Sequence, residues 1–139
     1  MPPTAAQLAE LRRMTAEPTE AKYSDALLTT YIERWPLMDQ TGQPPYFIQG
    51  YTKVANALWT PTYDMNRAAA EIWDEKAAAL AEGSIDYSAD GGQFSVRQAF
   101  QNAKNMAQTY RARRSPAVIL FNPGPQHLSD NDLDRDDHN

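Results

Sequence analysis

Between Met65 and Glu82 an apolar residue recurs every third or fourth position: Met65, Ala69, Ile72, Trp73, Ala77 and Leu80 fall on one side. Arg67, Glu71, Asp74, Glu75 and Glu82 fall on the other, and alanine fills much of the rest. That pattern belongs to an amphipathic helix, and a helix with one apolar side needs other elements to cover it. Gly83 stands where a helix of this kind ends. A second run of the same character, Val96, Ala99, Phe100, Ala103, Met106, Ala107 and Tyr110, opens with Ser95-Val96-Arg97-Gln98 as a capping box and stops before Pro116. Upstream, Ser24 suits an N-cap and Asp25 the positive helix start. Leu27, Leu28, Tyr31, Ile32 and Trp35 then share a face, and Pro36 ends it. Ala5 to Met14, with Leu8 and Leu11, reads as a shorter helix or an N-terminal arm. The expected core is Trp35, Ile72, Trp73, Phe100 and Tyr110.

The intervening chain is less regular. Gly42-Gln43-Pro44-Pro45 is a loop, and Tyr46 to Trp59 reads as mixed loop and short helix, with Val54, Ala55, Leu58 and Trp59 suited to a helical turn. Beyond Pro116, Ala117-Val118-Ile119-Leu120-Phe121 is a β-prone run closed by Asn122-Pro123-Gly124-Pro125. No run of comparable strength stands elsewhere to pair with it, so its backbone groups call for an edge on another molecule, or for a groove along its own helices. The fold class expected is mainly α: a small bundle of about four helices with an extended C-terminal arm containing one short β-strand. The chain divides into an N-terminal arm or short helix (1–22), a helical domain (23–115), and an arm with an acidic tail (116–139).

Several function classes fall away. The chain has no cysteine, which removes disulfides, thiolate nucleophiles and sulfur-ligated metals. Asp86-Tyr87-Ser88-Ala89-Asp90-Gly91 imitates half a calcium loop, but Arg97 occupies the position of the bidentate glutamate. His127 and His138 have no ligating or catalytic spacing, and Gly91-Gly92 lacks the lysine of a phosphate loop. Neither an enzyme nor a cofactor is expected. Nor is a membrane or secreted protein: Met1-Pro2-Pro3-Thr4 opens no signal peptide, and Ala117–Phe121 is the longest strongly apolar stretch.

Charge, by contrast, is informative. The net charge is −5, and Ser129 to Asn139, with five aspartates and one arginine, carries −4 of it. No acidic residue lies between Gly91 and Ser129, whereas Arg97, Lys104, Arg111, Arg113 and Arg114 do. Charge separated in this way calls for a complement on the same chain or another.

Three segments carry a family resemblance: Tyr23-Ser24-Asp25 to Tyr31-Ile32-Glu33-Arg34-Trp35-Pro36; Trp59-Thr60-Pro61-Thr62-Tyr63-Asp64-Met65-Asn66 leading into Ala68 to Lys76; and Asp86 to Ser95 followed by Tyr110-Arg111-Ala112-Arg113-Arg114-Ser115. In this order, over roughly residues 23 to 115, the chain resembles the head–tail connector (adaptor, head-completion) proteins of tailed bacteriophages. The resemblance implies a homo-oligomeric ring of about twelve copies, closed by heterologous interfaces. It implies a virion neck assembled in the host cytoplasm, with the portal protein above, a downstream neck or tail protein below, and DNA passing through without specific binding. It also implies that Ala117, Val118, Ile119, Leu120 and Phe121 form a portal-docking arm. Complementary patches for the ring are Glu71, Asp74 and Glu75 on one copy and Arg111, Arg113 and Arg114 on the next. The alternative is a small helical DNA-binding or packaging factor using the basic end of the fourth helix.

Overall fold

In the computed structural model, residues 1–85 and 92–115 are described, with side chains for 1–82 and 96–115. The two long amphipathic runs become α3 (Met65–Ile85) and α4 (Gly92–Ala112), each roughly 30 Å long at a helix's rise per residue. They lie antiparallel: the end of α4 returns to the start of α3, where Asn66 Nδ2 donates to Arg113 O (3.2 Å) and Ser115 N to Asp64 Oδ2 (2.8 Å). Asp64 also caps α3, its Oδ1 accepting from Arg67 N at 3.1 Å. Alanines at the seam, Ala70 and Ala77 on α3 and Ala103 and Ala107 on α4, are buried, and residues this small let two helices approach closely.

Two shorter helices complete the bundle. α1 (Ala5–Thr15) starts at a capping box in which Thr4 Oγ1 accepts from Gln7 N and Gln7 Oε1 accepts from Thr4 N. α2 (Asp25–Glu33) starts at Ser24, whose Oγ accepts from Leu27 N. The core gathers Leu11, Leu28, Ile32, Ile72, Trp59, Tyr23, Tyr31 and Tyr63, with Ala68 and Ala69 beneath them. Of the residues expected there, Ile72 is fully buried, and Trp35 and Tyr110 pack part-buried against the cluster. Trp73 is half-buried with its Nε1 donating to Met14 O at 3.0 Å, and Phe100 is half-buried beside the Lys104 ammonium.

Four expectations require correction. Of the two readings of the N-terminal segment the short helix holds, as α1, and the detached arm does not, because Leu11 and Thr15 are fully buried, and Trp73 and Lys76 donate to the last carbonyls of α1. α3 runs through Gly83, and α4 begins at Gly92, ahead of the supposed cap at Ser95. A helical glycine costs only about 1 kcal/mol, which tertiary pairing of α3 with α4 offsets. α4 ends at Ala112, so Arg113 and Arg114 sit in a tightened turn beyond it, donating to Tyr110 O and Arg111 O.

The fourth correction is the largest. Residues 46 to 55 form a β-hairpin, β1 (Tyr46–Gln49) and β2 (Thr52–Ala55), antiparallel with Phe47 opposite Val54 and Ile48 opposite Lys53. Gly50, at φ +64°, and Tyr51 make the two-residue connection; a glycine with positive φ at its first position matches the right-handed strand twist. Aromatic and β-branched side chains then outweigh the helical spacing of Val54, Ala55 and Leu58. So Ala117–Phe121 is not the only β-competent run; that run, the calcium-like loop Asp86–Gly91, the acidic tail and both histidines lie outside the described residues. Among the described residues the chain is therefore mainly helical, four helices with one small two-stranded sheet.

Candidate functional site

The hairpin stands on a polar stalk. Trp35 and Asp64, Pro36 and Tyr63, and Leu37 and Thr62 face each other across two extended strands of chain, joined by Leu37 N to Thr62 O and Asp64 N to Trp35 O, both 2.8 Å. Trp59 anchors this stalk in the core, its ring edge-on to Tyr63 at 5.5 Å and its Nε1 donating to Leu37 O. Above it sits Asp39, whose carboxylate accepts from Thr60 N, Gln43 N, Thr41 N and Thr41 Oγ1, all between 2.8 and 2.9 Å. The Thr60 amide leads these donors in holding the Asp39 carboxyl down to about 2. A carboxylate held ionised and saturated with donors ties loops together and offers no proton at neutral pH. Asn56 completes the junction, donating from Nδ2 to Gln43 Oε1 and Pro44 O.

Beyond Asn56 the support stops. Phe47 (44% exposed), Ile48 (51%), Leu58 (75%) and the fully exposed Tyr51 lie in water, with Val54 beside them. By the strand pairing, Phe47 and Val54 share one face, while Tyr46 and Ile48 share the other with Lys53, whose ammonium lies 4.5 Å from the Tyr46 ring centroid. Exposed apolar residues concentrated at one projection mark a surface for a partner. The edges are open too. Asn56 N donates to Pro45 O, and in the alternating antiparallel pattern this turns the backbone groups of Tyr46 and Ile48, and of Lys53 and Ala55, outward. No further backbone hydrogen bond among the described residues reaches them. An isolated two-stranded hairpin is marginal in water, and among the described residues only the Asn56 junction at its base supports it.

The charged patches behave differently. Glu71 pairs with Arg34 (3.1 Å), Asp74 with Arg111, and Glu75 accepts from the Tyr31 hydroxyl, all within one chain. Four of the six charges expected at a ring interface thus have an intramolecular partner. Arg113 and Arg114 are exposed, and no side-chain partner among the described residues reaches their guanidinium groups. On α4, Arg97, Lys104 and Arg111 recur every seven residues and are all exposed, which makes one basic stripe. No cluster of metal-ligating side chains occurs among the described residues.

Sequence reasoning missed the hairpin site altogether. Its only signal is Gly50 between two four-residue β-prone runs, and Gly-Tyr is a weaker hairpin pair than Gly-Asn or Gly-Ser. Comparison with known protein families, with characterised proteins and with solved structures gives no match to this chain.

Proposed function

We propose that this chain is a structural subunit of a tailed-phage neck, one copy of a ring that joins the portal of the head to the tail and encloses part of the DNA channel. The observation that carries the reading is the projecting hairpin. A bundle with its own buried core presents Phe47, Ile48 and Tyr51 to water, on an element whose backbone edges are also open, with exposed Leu58 just past its base. Such a surface supports the reading of an assembly component. Arg113 and Arg114, just past α4, supply a second surface for a neighbouring copy or for the portal. The family resemblance over residues 23–115 supplies the neck as the location.

The test is co-assembly. Purified chain mixed with a portal ring and imaged by electron microscopy gives an added layer of density on the portal, and Ile48→Asp with Tyr51→Ser removes it while the helical melt is kept. A chain that leaves the portal bare overturns the proposal.

One observation favours the second reading, a DNA-binding factor. Arg97 and Lys104 are exposed one heptad apart on a helix segment free of acidic residues, in line with Arg111, which pairs with Asp74. With Arg111 already paired to Asp74, phosphate contacts made by the two remaining cations, Arg97 and Lys104, lower the affinity as salt rises with a slope of about −2 on logarithmic axes. Duplex DNA titrated at increasing salt separates a phosphate-binding stripe from a channel wall past which DNA slides.

A further inference from the structure

We infer that the open edge of β1 receives the segment Ala117–Phe121 of a neighbouring copy as a third strand, so that each chain gives one arm and accepts one. The inference rests on the ring reading for its repeated partner, and it directs the arm at the next subunit rather than at the portal.

Two incomplete surfaces on one chain match each other. The hairpin offers the outward N–H and C=O groups of Tyr46 and Ile48, along an edge whose strand, Tyr46-Phe47-Ile48-Gln49, carries no charge. The other edge carries Lys53, a residue that discourages strand pairing. Downstream, Ala117-Val118-Ile119-Leu120-Phe121 is uncharged, apolar on both sides and bounded by prolines at 116 and 123. Its backbone needs what the hairpin edge lacks.

The path of the chain places the two near one another. Ser115 N donates to Asp64 Oδ2, and Asp64 N donates to Trp35 O at the foot of the hairpin stalk. The arm therefore departs from the foot of the stalk, and the six residues from Pro116 to Phe121 span at most about 20 Å when extended. That reaches a hairpin packed alongside.

Burial decides whose hairpin it is. A third strand from the same chain would satisfy the edge but leave Phe47, Ile48 and Leu58 in water. A strand arriving with a second body attached brings cover for those faces as well. Donor arm and acceptor edge are different surfaces, so the contact is head-to-tail, the kind that closes into rings.

The absence of native cysteine allows a direct test on the full chain. Tagged Ile48→Cys protein and untagged Ile119→Cys protein are mixed, free at rising concentration and on a portal ring, and treated with a short bismaleimide. The expected product is a covalent pair containing one of each. Val118→Pro in the arm donor, which removes a ladder hydrogen bond, lowers its yield at least tenfold, and wild-type amides of Tyr46 and Ile48 gain exchange protection that Val118→Pro does not give. The double variant I48C/I119C forms multimers. Closure within single chains only, or no cross-link in either setting, overturns the inference. A portal-bound ring without the cross-link sinks arm exchange and leaves the neck assignment standing; cross-linked chains that ignore the portal support arm exchange and remove the neck.

Discussion

Arg12 shows how much of this fold one side chain can organise. From the last turn of α1 its guanidinium donates to Glu17 O, Thr19 O and Tyr23 O, at 2.8 to 3.1 Å, and to the Asp25 carboxylate. It thereby fixes the whole connection from α1 to the start of α2. Replacing Arg12 by Met keeps the aliphatic stem and leaves three carbonyls unpartnered, so urea unfolding is expected to show a loss of about 2–3 kcal/mol. Arg12→Lys recovers only part of it, since an ammonium lacks the planar fork. Just past it, at the C-cap of α1, Ala16 sits at φ +54°, a left-handed conformation that burdens a side chain and suits glycine. Ala16→Gly is therefore expected to raise stability by about 0.5–1 kcal/mol, read from the same denaturation curves. Asp39 gives the pH prediction. Its folded carboxyl titrates at about 2 against an ordinary 3.8, so its contribution is present above the ordinary value and disappears as pH falls from about 4 towards 2. Asp39→Asn should melt lower than wild type at pH 7, with the gap closing as the melts are taken down to pH 2.

Among the elements, stability and exposure divide cleanly. Ile72 is fully enclosed by α1, α2 and α3, so Ile72→Ala should cost about 2–5 kcal/mol. The Asp74–Arg111 pair joins α3 to α4 at a half-exposed position, and Asp74→Asn should change the midpoint by less than about 1 kcal/mol. The same contrast explains what the sequence made legible. α1, α2 and the bodies of α3 and α4 were readable because apolar periodicity, the cap at Ser24 and the stop at Pro36 all report local physics; the capping box at Thr4 was equally local but went unread. The ends of α3 and α4 were not, because pairing along the seam carries the helices past Gly83 and Ser95. Trp59 and Tyr63 escaped notice as core because their burial depends on the stalk and on Asp39, a knot whose donors lie up to 21 residues away in sequence. Glu71, Asp74 and Glu75 were legible as a charged face, but the sequence could not show that Arg34, Arg111 and Tyr31 of the same chain already face them. The hairpin was obscured by its own composition. Val54, Ala55 and Leu58 have helical spacing, and only the positive φ at Gly50 turns the chain back.

For the molecule as a whole, the decisive question is whether the part that folds and the part that is exposed are separable. The core runs through α1, α2, α3, Trp59 and Tyr63, with Tyr110 of α4 packed against it, and ends at the Asp39–Asn56 junction. Nothing from Phe47 to Val54 enters it. Opening the hairpin should therefore be a local event of low free energy, distinct from global unfolding. Replacing residues 46–55 by Gly-Gly keeps Pro45 and Asn56 as neighbours of the junction and shortens a surface loop. Because loop-closure free energy varies only logarithmically with length, the change in global stability should stay within about 1 kcal/mol. The helical signal and its melting cooperativity are thus expected to match wild type. Removing Phe47, Ile48, Tyr51 and Val54 takes away the main exposed apolar surface, so solubility at high concentration should rise. Co-assembly with a partner should vanish at the same time. A hairpin-less chain that unfolds early would mean that the projection is part of the core after all; one that folds and still assembles would mean that its apolar tip has no binding role.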